Sequence, residues 1–471
     1  MEGVTAGLRG SEARAARGRT LRLGLPPFAL ALLVLVVWRH YGVGGRDSLH
    51  YIGYELVFVG LPGWTLVRAL SPAGGQLRRL VLGWTVGYAL EVFAFALTAA
   101  LGARGLFVAY PPVVVAGALA LGRLAPARAA ADVAVRSVRV SAAWLWAICG
   151  IAAFGVLGFV EGLYKFTPLP WSVSQVTYHH DLVVHLAYAA EARHHWPIEY
   201  PLVSGQPFPY HTFVYMHLAA ADQVTHIGLT TIFLRLFDPS ITVLLTLQLA
   251  YLGAVVARRA WAGPVVALVG LVAGEVDLDA RMGPAATVPF FGGFPVETWY
   301  SPSFQFGTVF LVGALILLVE HIRGAGLRHF ALLALVIACA AGVKSTIMPL
   351  LLGGLVVLAA VELVANRRIA RRTLAAIAFV GGIGLVFLLT LYRGGHSGFT
   401  FSPGTELEKT NALLLFEPKR AGAALHDAYW LVGLLVAGVG LYGAGLAGLL
   451  GLPRRRLVRP GPEVLLLGVF L

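Results

Sequence analysis

The chain has 471 residues, of which 58% are hydrophobic and 13% are charged, and its mean hydropathy is +0.78. A soluble domain carries about 25% charged residues, so the composition excludes a water-soluble globular protein. The net charge of +13 comes without an aromatic-interleaved basic groove, which argues against a nucleic-acid partner. We interpret it as basic loops facing anionic lipid headgroups.

Apolar runs of roughly 15 to 25 residues recur along the chain, the length that a helix needs to cross the bilayer. They predict an all-α integral membrane protein, a bundle of about 12 to 13 transmembrane helices. The predicted spans are Leu23–Trp38, Leu49–Leu70, Leu80–Leu101, Leu106–Leu121, Ala142–Val160, Ile241–Ala257, Val265–Val276, Phe304–Val319, Phe330–Val343, Ile347–Val364, Leu374–Tyr392 and Asp427–Leu450.

The basic residues predict the orientation of the bundle. If the spans alternate from a cytoplasmic N-terminus, two thirds of the 36 lysines and arginines fall on the cytoplasmic side, as the positive-inside rule requires. We therefore expect a multi-pass protein of the cell membrane. Two acids inside predicted spans, Glu55 and Glu91, have no basic partner in those spans and are expected to face a cavity or another helix.

One long segment interrupts the spans on the predicted outer face, at residues 161–230. Asp181 and His185 lie four residues apart on an amphipathic helix that starts at His180 and is ended by Pro197. A loop with Tyr210 and His211 follows. A second run, Phe213–His226, is too polar to span the membrane, so the segment is predicted to hold two amphipathic helices lying in the membrane interface.

A second interruption follows Phe330–Val343, where a tight turn carries Lys344. The order here is a basic loop at Arg328, an apolar helix ending in Gly342-Val343-Lys344, a second apolar helix with Pro349, and a basic loop at Arg367. Together with an acid that is not one of a pair, Asp181, in the first large outer loop, this order resembles the GT-C superfamily of membrane glycosyltransferases. The resemblance covers residues 142–450 of the chain.

The resemblance implies transfer of a sugar from a polyprenyl-phosphate donor to a glycan, lipid or protein acceptor on the outer face. It implies that Asp181 is the general base that takes the proton of the acceptor hydroxyl. Cations near the outer surface would stabilise the leaving phosphate. The predicted substrate-binding residues are His180, His185, Tyr210, His211, Glu297, Lys344, Arg393 and His396.

Many members of that superfamily carry paired acids, whereas this chain has one acid beside a histidine. No cofactor is certain from the sequence, and a divalent metal ion held by Asp181 and His185 is left open. Each candidate also has a structural interpretation. Asp181 is placed to interact with the helix dipole, and Lys344 can reach the headgroups without binding a substrate.

Two other functions remain open. A lipid-linked-sugar flippase or small-solute transporter would share the composition, and a GT-C-shaped scaffold without catalysis would share the loop. Residues 1–141 are predicted to be a cytoplasmic tail and four accessory helices, and residues 142–450 the core. Residues 451–471 are predicted to be a basic cytoplasmic loop and the start of a last helix, which we expect to be incomplete.

Overall fold

The computed structural model describes residues 22–72, 74–124, 140–172, 178–272 and 301–393, with isolated positions at 138 and between 461 and 469. In these ranges the regular structure is helical, apart from one isolated bridge between Glu199 and Pro207. The helices are α1 Arg22–His40, α2 Gly45–Tyr54, α3 Leu61–Leu70, α4 Gln76–Ala100, α5 Tyr110–Leu124, α6 Ala142–Phe159, α7 His180–His194, α8 Phe213–Thr225, α9 Leu229–Ala257, α10 Ala262–Val272, α11 Pro302–Ile322, α12 Leu327–Val343, α13 Ile347–Asn366 and α14 Arg371–Thr390.

Eight helices of the described residues are long and apolar enough to cross a membrane. They are α1, α4, α5 with its preceding turn, α6, α9, α11, α13 and α14. The all-α membrane character predicted from the sequence is therefore confirmed, and each of these helices matches one predicted span.

The remaining predicted spans differ. Leu49–Leu70 forms α2 and α3, which are joined by a π-helical stretch, Glu55–Gly60. Helices α10 and α12 are apolar but shorter than the eight. The predicted span Asp427–Leu450 lies outside the described residues. The count of 12 to 13 spans and the orientation of the bundle stay predictions.

Helix α4 lies at the centre of the core, where it packs against α3, α8, α9, α11 and α12. Its contact with α3 depends on glycine. A Cβ atom on Gly63 of α3 would lie 1.9 Å from the carbonyl oxygen of Gly83, and one on Gly87 would lie 2.0 Å from the carbonyl oxygen of Val59. The Gly83 and Gly87 pair is the small-xxx-small spacing that lets membrane helices approach backbone to backbone.

A buried ion pair joins the N-terminal part of α4 to α11. The guanidinium of Arg78 donates to both carboxylate oxygens of Glu320, each at 2.7 Å, and both side chains are almost fully buried. Nη2 of Arg78, one of the two nitrogens that donate to Glu320, also donates to the hydroxyl of Ser71 at 2.8 Å. A charge in an apolar interior needs such a partner. The pair thus connects residues 1–141 to the predicted core through the interior.

Helix α8 corrects one prediction. We expected Phe213–His226 to lie amphipathically in the interface, but eleven of the thirteen residues of α8 are buried in the body of the protein. Its polar side chains are paired inside: Nδ1 of His217 lies 2.9 Å from Glu91, and Asp222 lies 2.7 Å from Arg193. Because these partners neutralise its polar groups, α8 is an interior helix.

Candidate functional site

The candidate site begins at the N-terminus of α7, where Asp181 lies in the first turn. The Asp181 carboxylate is 38% exposed, with Nε2 of His180 at 3.2 Å and Nδ1 of His179 at 3.7 Å. The rings of the two histidines stack with their centroids 4.5 Å apart. An acid in this position also interacts favourably with the helix dipole.

The ligand atoms of His179, His180 and Asp181 all lie within 4.8 Å of one another, close enough to hold one metal ion. Two imidazole nitrogens and one carboxylate oxygen are donors that Zn²⁺ accepts, with a fourth position for water or substrate. His185, the expected second ligand, is not in this group. It is buried, and its Nδ1 lies 2.7 Å from the hydroxyl oxygen of Tyr215.

An aromatic layer connects α7 to the loop at 195–212 and to α8. The Tyr188 ring lies 4.4 Å from Phe208, 5.7 Å from Tyr210 and 5.3 Å from Tyr215, measured between centroids. Burial, Tyr188 and then the Asp181 carboxylate raise the pKa of Tyr210 to about 12. The phenol hydroxyl is therefore protonated at neutral pH and can donate a hydrogen bond to a substrate oxygen.

The layer continues from Tyr210 to a polar contact at the N-terminus of α11. The rings of Tyr210 and His211 are adjacent, with centroids 3.6 Å apart. Nε2 of the buried His211 lies 2.9 Å from the hydroxyl oxygen of Ser303, to which Nζ of Lys344 donates at 3.5 Å. Three elements that are distant in sequence thus place polar atoms at one point.

Burial controls the protonation of this group. The pKa of His211 lies well below its usual range, because of its burial first and then because of the Lys344 and His185 charges. Burial also lowers the pKa of Lys344. At neutral pH the His211 imidazole is therefore neutral, and it can donate a hydrogen bond from one nitrogen while it accepts one at the other.

Four predicted substrate-binding residues come together in this region: His185, Tyr210, His211 and Lys344. His180 lies beside Asp181 at its edge. Arg393 is exposed and follows Tyr392, whose hydroxyl donates to the carbonyl oxygen of Ala341 in α12 at 2.7 Å. Arg393 thus lies at the same end of α12 as Lys344. Glu297 and His396 lie outside the described residues.

Three residues of the region were not predicted from the sequence: His179, Tyr215 and Ser303. His179 had a signal, because it extends the His180-Asp181 pair by one position. Tyr215 and Ser303 had none, since each acts through a residue more than 25 positions away in the chain. Comparison with protein-family models, with curated proteins and with solved structures finds no match to this chain.

Proposed function

We propose that this membrane protein is a glycosyltransferase that moves a sugar from a polyprenyl-phosphate donor to an acceptor on the outer face of the membrane. Asp181 would act as the general base toward the acceptor hydroxyl. The sequence resemblance to the GT-C superfamily and the clustering of the predicted residues support the proposal.

The observation that carries the proposal is the environment of Lys344. Its amine is partly buried, faces Ser303 and a neutral His211, and has no carboxylate partner among the residues that the structure describes. A cation that is partly withdrawn from water without a counterion is suited to an anionic ligand. A lipid phosphate would supply that charge at the predicted outer end of α12.

The surroundings of Asp181 suit the acceptor side. Its carboxylate is partly exposed, so an acceptor can reach it from the solvent, and His180 lies 3.2 Å away to orient it. The Asp181 carboxylate contributes to the raised pKa of Tyr210, and the rings of Tyr188 and Phe208 contact the Tyr210 ring. Aromatic rings and phenol hydroxyls can pack against a sugar face and bind its hydroxyls.

The proposal is tested by transfer from a panel of polyprenyl-phosphate sugars to mixed acceptors, using the purified full chain in lipid nanodiscs. Asp181→Asn is expected to lower the rate at least 100-fold, the range that one general base contributes. Lys344→Gln is expected to weaken donor binding, with a higher KM for the lipid.

Asp47→Asn is the matched control, because Asp47 also lies in the first turn of a helix, α2, outside the site. It is expected to leave the rate unchanged. Full activity of Asp181→Asn would remove Asp181 as the base.

A specific observation supports transport as a second candidate. Two carboxylates, Glu55 and Glu91, and the imidazole of His217 lie buried in neighbouring parts of the interior. Intramembrane ionisable residues of this kind occur in proton relays. Solute or lipid-linked-sugar flux in liposomes, together with no transfer from any donor, would favour this function over the transferase.

A further inference from the structure

A cavity of about 360 Å³ lies between α1 and the rest of the bundle, away from the candidate site. One wall is a single face of α1, and the other walls come from α2 with the stretch that follows it, α4 and α9. The residues of α1 that line the cavity recur every three or four positions, as residues on one helix face do. They are Pro27, Leu30, Ala31, Val34, Leu35 and Trp38. The opposite walls include Leu56, Leu80, Val243, Leu244 and Leu247.

The cavity offers almost no polar atoms to a ligand. The Glu55 carboxylate borders it, but it accepts hydrogen bonds from Nε1 of Trp84 at 2.9 Å and from the hydroxyl of Tyr88 at 3.0 Å. Its charge is therefore engaged by the protein. A cavity of this size with an apolar lining suits an apolar chain and not a hydrated solute.

The length of the cavity matches one leaflet of a bilayer. It follows α1 from Pro27 to Trp38, twelve residues whose first and last Cα atoms are separated by a rise of about 16 Å at 1.5 Å per residue. The hydrocarbon core of a bilayer is roughly 30 Å thick, so the length of the cavity is close to the thickness of one leaflet of that core. An acyl chain of one leaflet would therefore fill it along its length, whereas a polyprenyl chain would be too long.

Cationic groups lie near one end of the cavity. Arg22 begins α1, five residues before Pro27, and Arg79 precedes the lining residue Leu80. One terminal nitrogen of Arg79 donates to the carbonyl oxygen of Pro72, but its Nε is buried without a hydrogen-bond partner. A phosphate group at this end would be attracted by the positive charges of the two guanidinium groups.

At the opposite end of the cavity, α1 contacts the bundle directly through Trp38. Nε1 of Trp38 donates to the carbonyl oxygen of Arg235 at 2.9 Å, and the Trp38 ring packs edge-on against Tyr51. Helix α1 is thus held directly at this end, while the cavity lies along its face from Pro27 to Leu35.

We propose that this cavity is a binding site for one membrane phospholipid, with an acyl chain between α1 and the bundle and its phosphate at Arg22 and Arg79. The bound chain completes the packing of α1, which is only 22% buried over its span. The site is independent of the proposed transferase function, since it shares no residue with the candidate site.

The test counts phospholipid that stays bound to the purified full chain. The protein is reconstituted in nanodiscs of phosphatidylcholine and phosphatidylglycerol, extracted in mild detergent, washed exhaustively and weighed by native mass spectrometry. The parent is expected to retain one phospholipid per chain. Ala31→Trp and Leu247→Trp fill the cavity from opposite walls, and each is expected to reduce retention at least fivefold.

Leu32→Trp is the matched control, because Leu32 is the neighbour of Ala31 on α1 but is 52% exposed and does not line the cavity. It is expected to retain the lipid as the parent does. Arg79→Gln is expected to weaken retention, and Arg68→Gln is not.

Four outcomes would overturn the proposal: no lipid on the parent, full retention by both filled variants, equal loss in Leu32→Trp, or a bound lipid that is a polyprenyl phosphate. Because no readout involves sugar transfer, an inactive protein that retains the phospholipid would count against the transferase alone.

Discussion

The carboxylate of Glu91 in α4 lies 2.9 Å from Nδ1 of His217 in α8, and both side chains are fully buried. Tyr54 also donates a hydrogen bond to Glu91, and the His217 ring stacks on Phe306 at 5.1 Å. This contact holds α8 inside the bundle. The same helix carries Tyr215, which contacts His185, so the pair also helps to position the candidate site.

Removal of either member of this pair is expected to destabilise the protein strongly. Glu91→Ala leaves the His217 ring buried without its partner, and a broken buried pair costs about 3–5 kcal/mol. We expect His217→Ala to cost a similar amount and the double variant to cost much less than the sum. Denaturant unfolding in mixed micelles measures the three values.

Glu191 in α7 and His195 just after it form the control pair. Their contact also joins a carboxylate oxygen to Nδ1, but this histidine is 62% exposed. Glu191→Ala is expected to cost about 1 kcal/mol or less. A coupling energy near zero for Glu91 and His217 would contradict the role of the buried pair.

The pair of Arg78 and Glu320 predicts a requirement for guanidinium. Arg78→Lys keeps the charge but replaces the two parallel hydrogen bonds by a single point charge and loses the contact with Ser71. We expect a loss of about 1–3 kcal/mol in the free energy of unfolding. Arg68→Lys, on the exposed side of α3, should change it by about 0.5 kcal/mol or less. Equal effects at the two positions would argue against a structural role for the bidentate pair.

The contact between α3 and α4 predicts opposite effects for two glycine substitutions. Gly87→Ala would place a Cβ atom 2.0 Å from a backbone oxygen, so the helices must separate, at a cost of about 1–3 kcal/mol or more. Gly382→Ala in α14 meets no atom within 4 Å and is expected to stabilise the helix by about 0.5–1 kcal/mol. Thermal unfolding in the same detergent compares them. A Gly87→Ala variant as stable as the parent would show that this close approach is not needed.

The lowered pKa of His211 predicts a loss of stability in acid. The unfolded chain binds a proton near the ordinary histidine pKa of about 6.5, whereas the folded chain resists it. The stabilisation is therefore present above about pH 6.5 and is lost as the pH falls below it, by up to about 1.4 kcal/mol per pH unit. The charged groups that face His211 are Lys344 and His185, and both oppose its protonation.

Unfolding measured between pH 7.5 and 5 tests this dependence. His211→Gln is expected to flatten it. Ser303→Ala removes the hydrogen bond to Nε2 but keeps the imidazole, so it should lower stability by about 1 kcal/mol at every pH and leave the slope in place. An unchanged slope in His211→Gln would assign the acid sensitivity to other groups.

Four of the residues that the sequence marked as candidates lie close together in the structure. His185, Tyr210 and His211 were predicted from the long outer segment and Lys344 from the turn after Val343. The structure brings the four together, and their role in substrate binding stays a prediction. The partner of each was not predictable. Ser303 lies 92 positions from His211, and a contact of that separation leaves no local pattern.

The position of α8 was not predictable for the same reason, because it depends on partners that are distant in the sequence. Its histidine and aspartate suggested a helix at the surface, because polar residues cost free energy in an apolar interior unless they are paired. The interpretation of Glu55 and Glu91 was confirmed, since Glu55 borders a cavity and both contact other helices. The contact between Glu91 and His217 is what makes the interior position of α8 possible.

The sequence by itself determined that this is a membrane protein of apolar helices and where most of those helices lie. That information is local, because a span is a run of apolar residues whose length matches the bilayer. The tertiary structure alone decided which buried charges are paired, that α8 is an interior helix and that a cavity separates α1 from the bundle. These depend on which helices become neighbours, and that choice is made by the packing of side chains far apart in the chain.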